Sequence, residues 1–441
     1  MSRSRYHIPD EETLDPIGLR ALQHAKLAAL LREVLPHNRF YQAKYQPLKI
    51  SSETPLEHLP FLARAEIEQD QANHPPYGAN LTYPLSQYTR FHQTSGSAGR
   101  PVRWLDTPQS WQWLQRCWGI IFRAIGIEPA DRFIFTFSFG PFIGFWAAFE
   151  SAAALGHLSI PAGGLSTGAR LRMILDNQVT VICCTPTYAL RMSETAAENN
   201  IDLRGSAVRA LIVAGEPGGN IPATRQRIEQ SFNARVFDHT GMTEIGSLGI
   251  ECLENPGGVH ILESECIPEV IDPQTQKPAA EGQLGELVIT NLGRLGSPVI
   301  RYRTGDLVRM TRKLCPCGRC FARLEGGILG RVDDMFIIRG NNVFPSAMES
   351  IIRRFAEVAE YRVEVYDEGG LAQVAIELEP HPSANGEDLA CRVGQAIADA
   401  LSFRAEIRTV SPGVLPRFEM KARRFTRRSN KTENSSPRAQ S

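Results

Sequence analysis

Between Arg132 and Asp238, short apolar and β-branched runs alternate with helical segments, and this alternation limits the fold more than any other feature of the chain. Phe133–Phe137 precedes a helical Phe145–Leu155, and Leu171–Asp176 leads into Val179–Cys183. Arg209–Val213 then precedes a helical Ala223–Phe232 and a strand at Val236–Asp238. Strands separated by crossover helices pair in parallel, so the pattern predicts an α/β fold with largely parallel sheets. After Gly246 the pattern changes. Val259–Leu262, Glu269–Ile271, Glu286–Thr290 and Leu307–Met310 read as short strands between Gly and Pro turns, as in a distorted β-barrel or meander.

Beyond Gly330 a smaller α+β unit begins, with helices at Ser346–Phe355 and Glu387–Leu401 among strands at Met335–Ile338, Tyr361–Tyr366 and Gln373–Leu378. A chain of 441 residues exceeds what one core normally serves. The expected organisation is a large N-terminal domain, residues 1–329, of parallel-rich sheets plus a β-rich subdomain. A small mobile α+β C-terminal domain, residues 330–428, and a polar, disordered tail, residues 429–441, complete it. Ahead of all this, Leu19, Leu22, Leu27, Leu30 and Leu31 recur at helical spacing and predict an amphipathic helix within Thr13–Tyr45.

The 48 basic and 48 acidic residues cancel, which argues against nucleic acid as the main partner. The longest uncharged stretch, Phe133–Phe149, is interrupted by Ser138, Gly140, Pro141 and Gly144, so no membrane span is expected. The charged segment Met1–Pro16 lacks the apolar core of a signal peptide. Nine cysteines, an odd number, suggest reduced thiols or metal ligands and a cytoplasmic setting. A homodimer is compatible with all of this.

Thr94-Ser95-Gly96-Ser97-Ala98-Gly99-Arg100-Pro101 is dense in hydroxyls and glycine. Such a loop brings backbone N–H groups close to a polyphosphate, and equally suits a flexible surface turn. It is not a Walker loop, because no Gly-Lys-Ser/Thr ends it. Further on stand Ala214-Gly215-Glu216-Pro217, Phe237-Asp238-His239-Thr240-Gly241-Met242-Thr243-Glu244 and Tyr302-Arg303-Thr304-Gly305-Asp306-Leu307. Gly330-Arg331-Val332-Asp333-Asp334-Met335 runs on to Ile338-Arg339-Gly340 and Val343-Phe344-Pro345-Ser346, and Leu415-Pro416-Arg417-Phe418-Glu419-Met420-Lys421-Ala422 comes last. In this order the segments resemble the motifs of the adenylate-forming superfamily, and the last phrases are especially similar to its phenylacetate–CoA ligase-like family. The resemblance runs from about Leu19 to about Phe425.

That resemblance implies ATP-dependent activation of a carboxylic acid, release of pyrophosphate, and transfer of the acyl group from its adenylate to the thiol of coenzyme A. It implies that Lys421 offsets charge on the α-phosphate, that Thr243 bonds that phosphate, and that Glu244 binds Mg²⁺. Thr94, Ser95, Gly96, Ser97, Gly99, Gly215, Glu216, Pro217, Asp238, His239, Thr240, Asp306 and Arg331 would line the ATP/AMP site, with Asp306 accepting from the ribose hydroxyls. Asp333 resembles the hinge about which the small domain turns, and Arg339-Gly340 the loop presented on the coenzyme A side. Two positions depart from the pattern. Thr240 stands where an aromatic residue stacks on adenine, and Met420 where glycine precedes the lysine. The basic neighbours Arg417, Arg423 and Arg424 also suit a solvated face.

Cys315-Pro316-Cys317-Gly318-Arg319-Cys320 puts thiols on a tight turn, and Cys252 and His260 flank another, Asn255-Pro256-Gly257-Gly258, with Cys266 to spare. The resemblance implies a closed structural zinc site at Cys252, His260, Cys315 and Cys317. Cys320 and Cys266 are the alternatives, and unliganded thiols the plain reading. The run from Phe137 to Trp146 is rich in aromatics and glycine. By the same resemblance it lines a pocket for an aryl or arylacetic acid, with Phe137 and Phe142 on the ring faces and Gly144 leaving room. Two other readings stay open: an adenylate-forming enzyme that serves a carrier-protein thiol or an amine, and a zinc-bearing scaffold protein with a decayed site.

Overall fold

Val181–Cys184 and Ala210–Val213 are buried at every position, as strands covered by helices on both faces of a parallel sheet must be. The structure is a computed structural model that describes residues 5–94, 101–338, 341–368, 371–418 and 422–428. The chain forms two compact units, Met1–Val332 and Asp333–Ser441.

The first unit has helices α1 (Pro9–Glu12), α2 (Pro16–His37), α3 (Arg39–Tyr45), α4 (Arg64–Asn73), α5 (Pro108–Ala124), α6 (Gly144–Ala154), α7 (Thr167–Asp176), α8 (Pro186–Glu198) and α9 (Pro222–Phe232). Several start on a capping side chain followed by proline: Asp15 accepts from the Gly18 amide, Thr107 from Ser110 and Thr185 from Tyr188. The cap satisfies an orphan donor, and proline loses nothing at the first helical position. The single helix expected in Thr13–Tyr45 is two. Asn38 adopts an extended conformation and its side chain accepts from the Tyr41 amide, ending α2 and starting α3.

A hairpin of β1 (Arg90–Gln93) and β2 (Arg103–Asp106) stands apart from the main sheet. The main sheet begins with β3 (Arg132–Phe135), β4 (Leu158–Pro161), β5 (Val181–Cys184), β6 (Ala210–Val213) and β7 (Arg235–Met242). These pair in parallel in the order β4-β3-β5-β6-β7. Next come β8 (Gly246–Ile250), β9 (Gly258–Ile261), β10 (Cys266–Ile271), β11 (Leu284–Asn291), β12 (Tyr302–Thr311), β13 (Arg323–Glu325) and β14 (Gly330–Arg331). The short strands expected after Gly246 form the antiparallel half of the same sheet, which runs on from β7 as β8-β9-β13-β12-β11-β10, with β10 to β13 as a meander. The joint is β7 itself. Its first half pairs in parallel with β6, and its second half pairs antiparallel with β8, with a bulge between Thr240 and Gly241.

The second unit holds a hairpin of β15 (Phe336–Ile338) and β16 (Asn341–Val343), helices α10 (Pro345–Ile352) and α11 (Gly386–Leu401), and a four-stranded sheet. That sheet is built from β17 (Val358–Glu368), β18 (Leu371–Pro380), β19 (Glu406–Thr409) and β20 (Phe425–Arg428), in the order β19-β18-β17-β20. Met348, Ile352, Val363, Ile376, Leu389 and Val393 close its core. Among the described residues no helix is long and apolar enough to cross a membrane.

Candidate active site

In an open α/β sheet, ligands bind beyond the carboxyl ends of the parallel strands, because the loops there face an uncovered crevice. The loops at these ends are the motif segments. Thr136 to Ile143 follows β3, Ala214 to Pro217 follows β6, and β7 runs out through Thr240 into Thr243 and Glu244.

Glu244 is almost fully buried, and its Oε1 accepts from Arg64 Nη1 at 2.9 Å and from the Tyr302 hydroxyl at 3.3 Å. Arg64, at the start of α4, also donates from Nη2 to Thr94 Oγ1 at 3.2 Å. One guanidinium therefore ties the first residue of the glycine-rich loop to the Thr-Glu turn. Oε2 of Glu244 takes no hydrogen bond from a described residue, so one carboxylate oxygen is left for a cation. This suits Mg²⁺, which takes one or two carboxylates beside phosphate oxygens. Ser95, Gly96, Ser97 and Gly99 lie outside the described residues.

Glu216 turns towards α8 and accepts from the Thr187 amide at 2.9 Å. Asp238, at the joint of the sheet, accepts from the Asn220 side-chain amide, and its backbone amide donates to Glu251 at 3.1 Å. Burial, reinforced by the negative charge of Glu251, pushes the Asp238 carboxyl up to about 7. Gly327 sits opposite at φ +69°, and a β-carbon there would lie 3.0 Å from Asp238 Oδ2, so this approach needs glycine. Strand alternation puts the next side chain on the other face. His239 packs on Trp118 with ring centroids 4.6 Å apart, and its Nδ1 lies 2.6 Å from the Gly249 carbonyl. A carbonyl can only accept, so Nδ1 carries the proton, and burial lowers the ring's pKa to about 4. Asp306 pairs with Arg331 at 3.1 Å, where β12 meets β14.

The family model for the AMP-binding enzyme matches residues 49–293, and that for the AMP-binding enzyme C-terminal domain matches residues 340–428. The chain belongs to the adenylate-forming, AMP-binding enzyme family. It is 30% identical over 437 residues to the phenylacetate–coenzyme A ligase of Thermus thermophilus, covering 93% of this chain and 96% of that one. To the Escherichia coli phenylacetate–coenzyme A ligase it is 31% identical over 427 residues, again covering 93% and 96%. A solved 2-hydroxyisobutyryl-CoA ligase, in the postadenylation state with an acyl-AMP, superposes with a TM-score of 0.91 at 27% identity, over 97% of this chain and 93% of that one. The chain is thus an AMP-forming acid–thiol ligase of the phenylacetate–CoA ligase-like group.

Away from the motifs of this adenylate-forming enzyme, four donors converge. Cys252, His260, Cys315 and Cys317 are buried, and their ligand atoms all lie within 4.8 Å of one another. Cys252 Sγ is 3.6 Å from Cys315 Sγ, and Cys317 Sγ is 3.7 Å from His260 Nε2. A tetrahedron of metal–sulfur bonds about 2.3 Å long has edges near 3.8 Å, so the donor set fits zinc. His260 Nδ1 lies 3.1 Å from the Phe321 carbonyl, which holds the proton there and turns the Nε2 lone pair to the thiols. The spare thiols point elsewhere, Cys266 to the Leu262 carbonyl at 3.4 Å and Cys320 to that of Leu14 at 3.0 Å. The two ligand-bearing segments meet because β9 and β13 are neighbours, His260 opposite Arg323.

In the second unit, Lys421, Arg339 and Gly340 lie outside the described residues, and Asp333 is the first residue of the unit. The basic run around position 421 is divided: Arg423 is exposed, as a solvated face requires, whereas Arg417 and Arg424 are paired. Arg417 pairs with Glu379, and buried Arg424 donates to both carboxylate oxygens of Glu360, at 2.6 and 3.0 Å. Two arginines that touch the expected nucleotide machinery, Arg64 and Arg294, belong to no motif. Arg294 is fully buried and donates to the carbonyls of Thr243 and Glu244. Nothing in the local sequence marks either one, since a single arginine carries no spacing or periodicity.

Proposed function

We propose that this enzyme activates an aryl or arylacetic acid and passes the acyl group to coenzyme A. The observation that carries the choice of acid is the aromatic cluster beyond β3. Phe137 packs on Phe139 with centroids 5.1 Å apart, Phe139 meets the edge of Trp146 at 4.7 Å, and Trp146 Nε1 donates to the Gly140 carbonyl at 2.9 Å. A β-carbon on Gly144 would meet nothing within 4 Å. A flat ring could enter there against aromatic walls, with Phe137 and Phe142 beside it. The run from Phe137 to Trp146 holds no lysine or arginine to receive a second carboxylate.

In the first half-reaction a carboxylate oxygen attacks the α-phosphorus of ATP and pyrophosphate leaves. Thr94 to Gly99 would cradle the phosphates, Thr243 would bond the α-phosphate and Lys421 would offset its growing charge. Glu244 would hold Mg²⁺, which neutralises phosphate charge. Gly215, Glu216, Pro217, Asp238, His239 and Thr240 would line the nucleoside side, and Asp306 and Arg331 its ribose. In the second half-reaction the coenzyme A thiolate attacks the acyl carbon and AMP leaves, with Arg339-Gly340 on the thiol side. Asp333 lies at the boundary of the two units, which supports a hinge there. Cys252, His260, Cys315 and Cys317 would hold structural zinc, and the reduced thiols suit the cytoplasm.

Acid-dependent ATP–pyrophosphate exchange over a panel of aryl, arylacetic and short hydroxy acids tests the reading. Arylacetates should exchange fastest, with AMP release requiring coenzyme A. Best exchange with a short hydroxy acid would overturn the aryl pocket. Adenylate formation without thioester would move the acceptor to a carrier-protein thiol or an amine.

A further inference from the structure

Arg294 and Asp106 form an ion pair in which neither side chain is exposed at all. The guanidinium fork is complete: Nε donates to Asp106 Oδ1 at 2.7 Å, and Nη2 to Oδ2 at 2.6 Å. The remaining nitrogen, Nη1, donates to the backbone carbonyls of Thr243 at 2.6 Å and Glu244 at 3.2 Å. The indole of Trp104 packs against the guanidinium 5.6 Å away. Burying two charges costs desolvation that their attraction barely repays, so such a pair is weak evidence for stability and stronger evidence for a required geometry.

Three segments meet at the pair. Asp106 ends β2, the second strand of the hairpin that carries the glycine-rich loop. The two carbonyls belong to the Thr-Glu turn that follows β7. Arg294 comes from the loop after β11, and that loop is itself clamped. Trp104 Nε1 donates to the Ser297 carbonyl at 3.2 Å, and the Gly296 amide to Ser110 Oγ at 3.2 Å. A β-carbon on Gly293 would sit 2.1 Å from the Trp113 ring. Across the hairpin, His92 on β1 also approaches Asp106. Its Nδ1 is 4.0 Å away, and burial lowers the ring's pKa to about 4, which leaves it neutral.

We infer that Arg294 and Asp106 are a positioning pair for adenylation: the buried fork sets the Thr243-Glu244 turn against the phosphate-loop hairpin, holding the α-phosphate and Mg²⁺ contacts at their working distance. The inference rests on the proposed roles of Thr243 and Glu244. A displacement of one ångström at such contacts costs about 100-fold in rate.

The test uses the full-length enzyme, with rates scaled to folded protein. Arg294→Lys keeps the charge but cannot make the fork. It should lower acid-dependent ATP–pyrophosphate exchange about 100-fold and raise KM for ATP, while transfer from a supplied acyl-adenylate to coenzyme A stays near the parental rate. The paired change Arg294→Met with Asp106→Leu removes both charges, so thermal stability should recover while exchange stays low. Exchange that recovers with stability, or that survives Arg294→Lys, would reduce the pair to a structural contact. Glu244→Gln serves as the control. Intact exchange there would defeat the reading of the turn, whereas its loss alongside an active Arg294→Lys would defeat the positioning pair alone.

Discussion

The turn at Thr243-Glu244 and the cluster of Cys252, His260, Cys315 and Cys317 both lie in the stretch where the sheet turns antiparallel, yet they are built on opposite plans. At the turn, one carboxylate oxygen of Glu244 is held by Arg64 and Tyr302 and the other has no described partner. Around the cluster, four buried donors converge within 4.8 Å of one another. An open, arginine-braced carboxylate suits ligands that come and go in each turnover. A closed set of thiols and imidazole suits an ion that stays. Glu251 links the two plans. Next to Cys252, it accepts from the backbone amide of Asp238 and from that of Gly257, and pairs with Arg225.

The sharpest way to break the contrast is to exchange the expected symptoms. Glu244→Gln removes the charge offered to Mg²⁺ but keeps the shape and an acceptor for Arg64. Exchange should fall about 100-fold or more, while the melting temperature hardly moves. Lys421→Ala should likewise depress adenylation far more than transfer from a supplied adenylate, because its charge matters only while the α-phosphorus is attacked. Equal losses in both half-reactions would remove Lys421 from the adenylation step.

Cys317→Ser should show the reverse. The parental enzyme should carry about one zinc per chain by elemental analysis. The variant should lose that zinc and melt about 5–10 °C lower, on the scale of a few kcal/mol lost from a domain of this size. Its affinity for ATP should stay close to parental. Cys266→Ser and Cys320→Ser should keep the metal, since both thiols point at carbonyls outside the cluster. A metal-free parental enzyme after zinc-replete expression would return these residues to plain buried thiols.

The two regions also differ in how they could be read from the sequence. The ordered motifs carry their chemistry in residue type and interval, so the adenylate-forming fold is legible in the sequence. The cysteine spacing alone leaves Cys266, Cys320 and unliganded thiols open, and the four-residue set comes only with the family resemblance. Neither reveals the braces. Arg64 and Arg294 act on Glu244 and the Thr-Glu turn across separations of 180 and about 50 residues, and only tertiary folding creates that adjacency. The continuity of the sheet was hidden for a related reason. The second half of β7, His239-Thr240-Gly241-Met242, has the composition of a turn, yet it pairs with β8. Burial beside Trp118 and the bulge at Gly241 override its weak strand propensity.

The smallest expected effect lies on β7, where Asp238 and His239 should pull stability in opposite directions with pH. Folding raises the Asp238 carboxyl from 3.8 to about 7, so between those values the folded state holds a proton that the unfolded chain has shed. Stability from this group is present at low pH and drains away as pH rises towards 7. Folding lowers His239 from 6.5 to about 4, so over that window the unfolded chain binds the extra proton and stability grows as pH rises. The two slopes oppose each other between about pH 4 and 6.5, and only the Asp238 slope continues to pH 7. Asp238→Asn keeps an oxygen for the Asn220 amide and removes the titration. The difference between the parental and variant denaturation midpoints should therefore shift steadily in the variant's favour from pH 4.5 to 7 and level off above. A difference that stays flat across this range would mean that Asp238 ionises at an ordinary carboxylate pH. In that case Glu251 and burial do not govern the charge at the joint of the sheet.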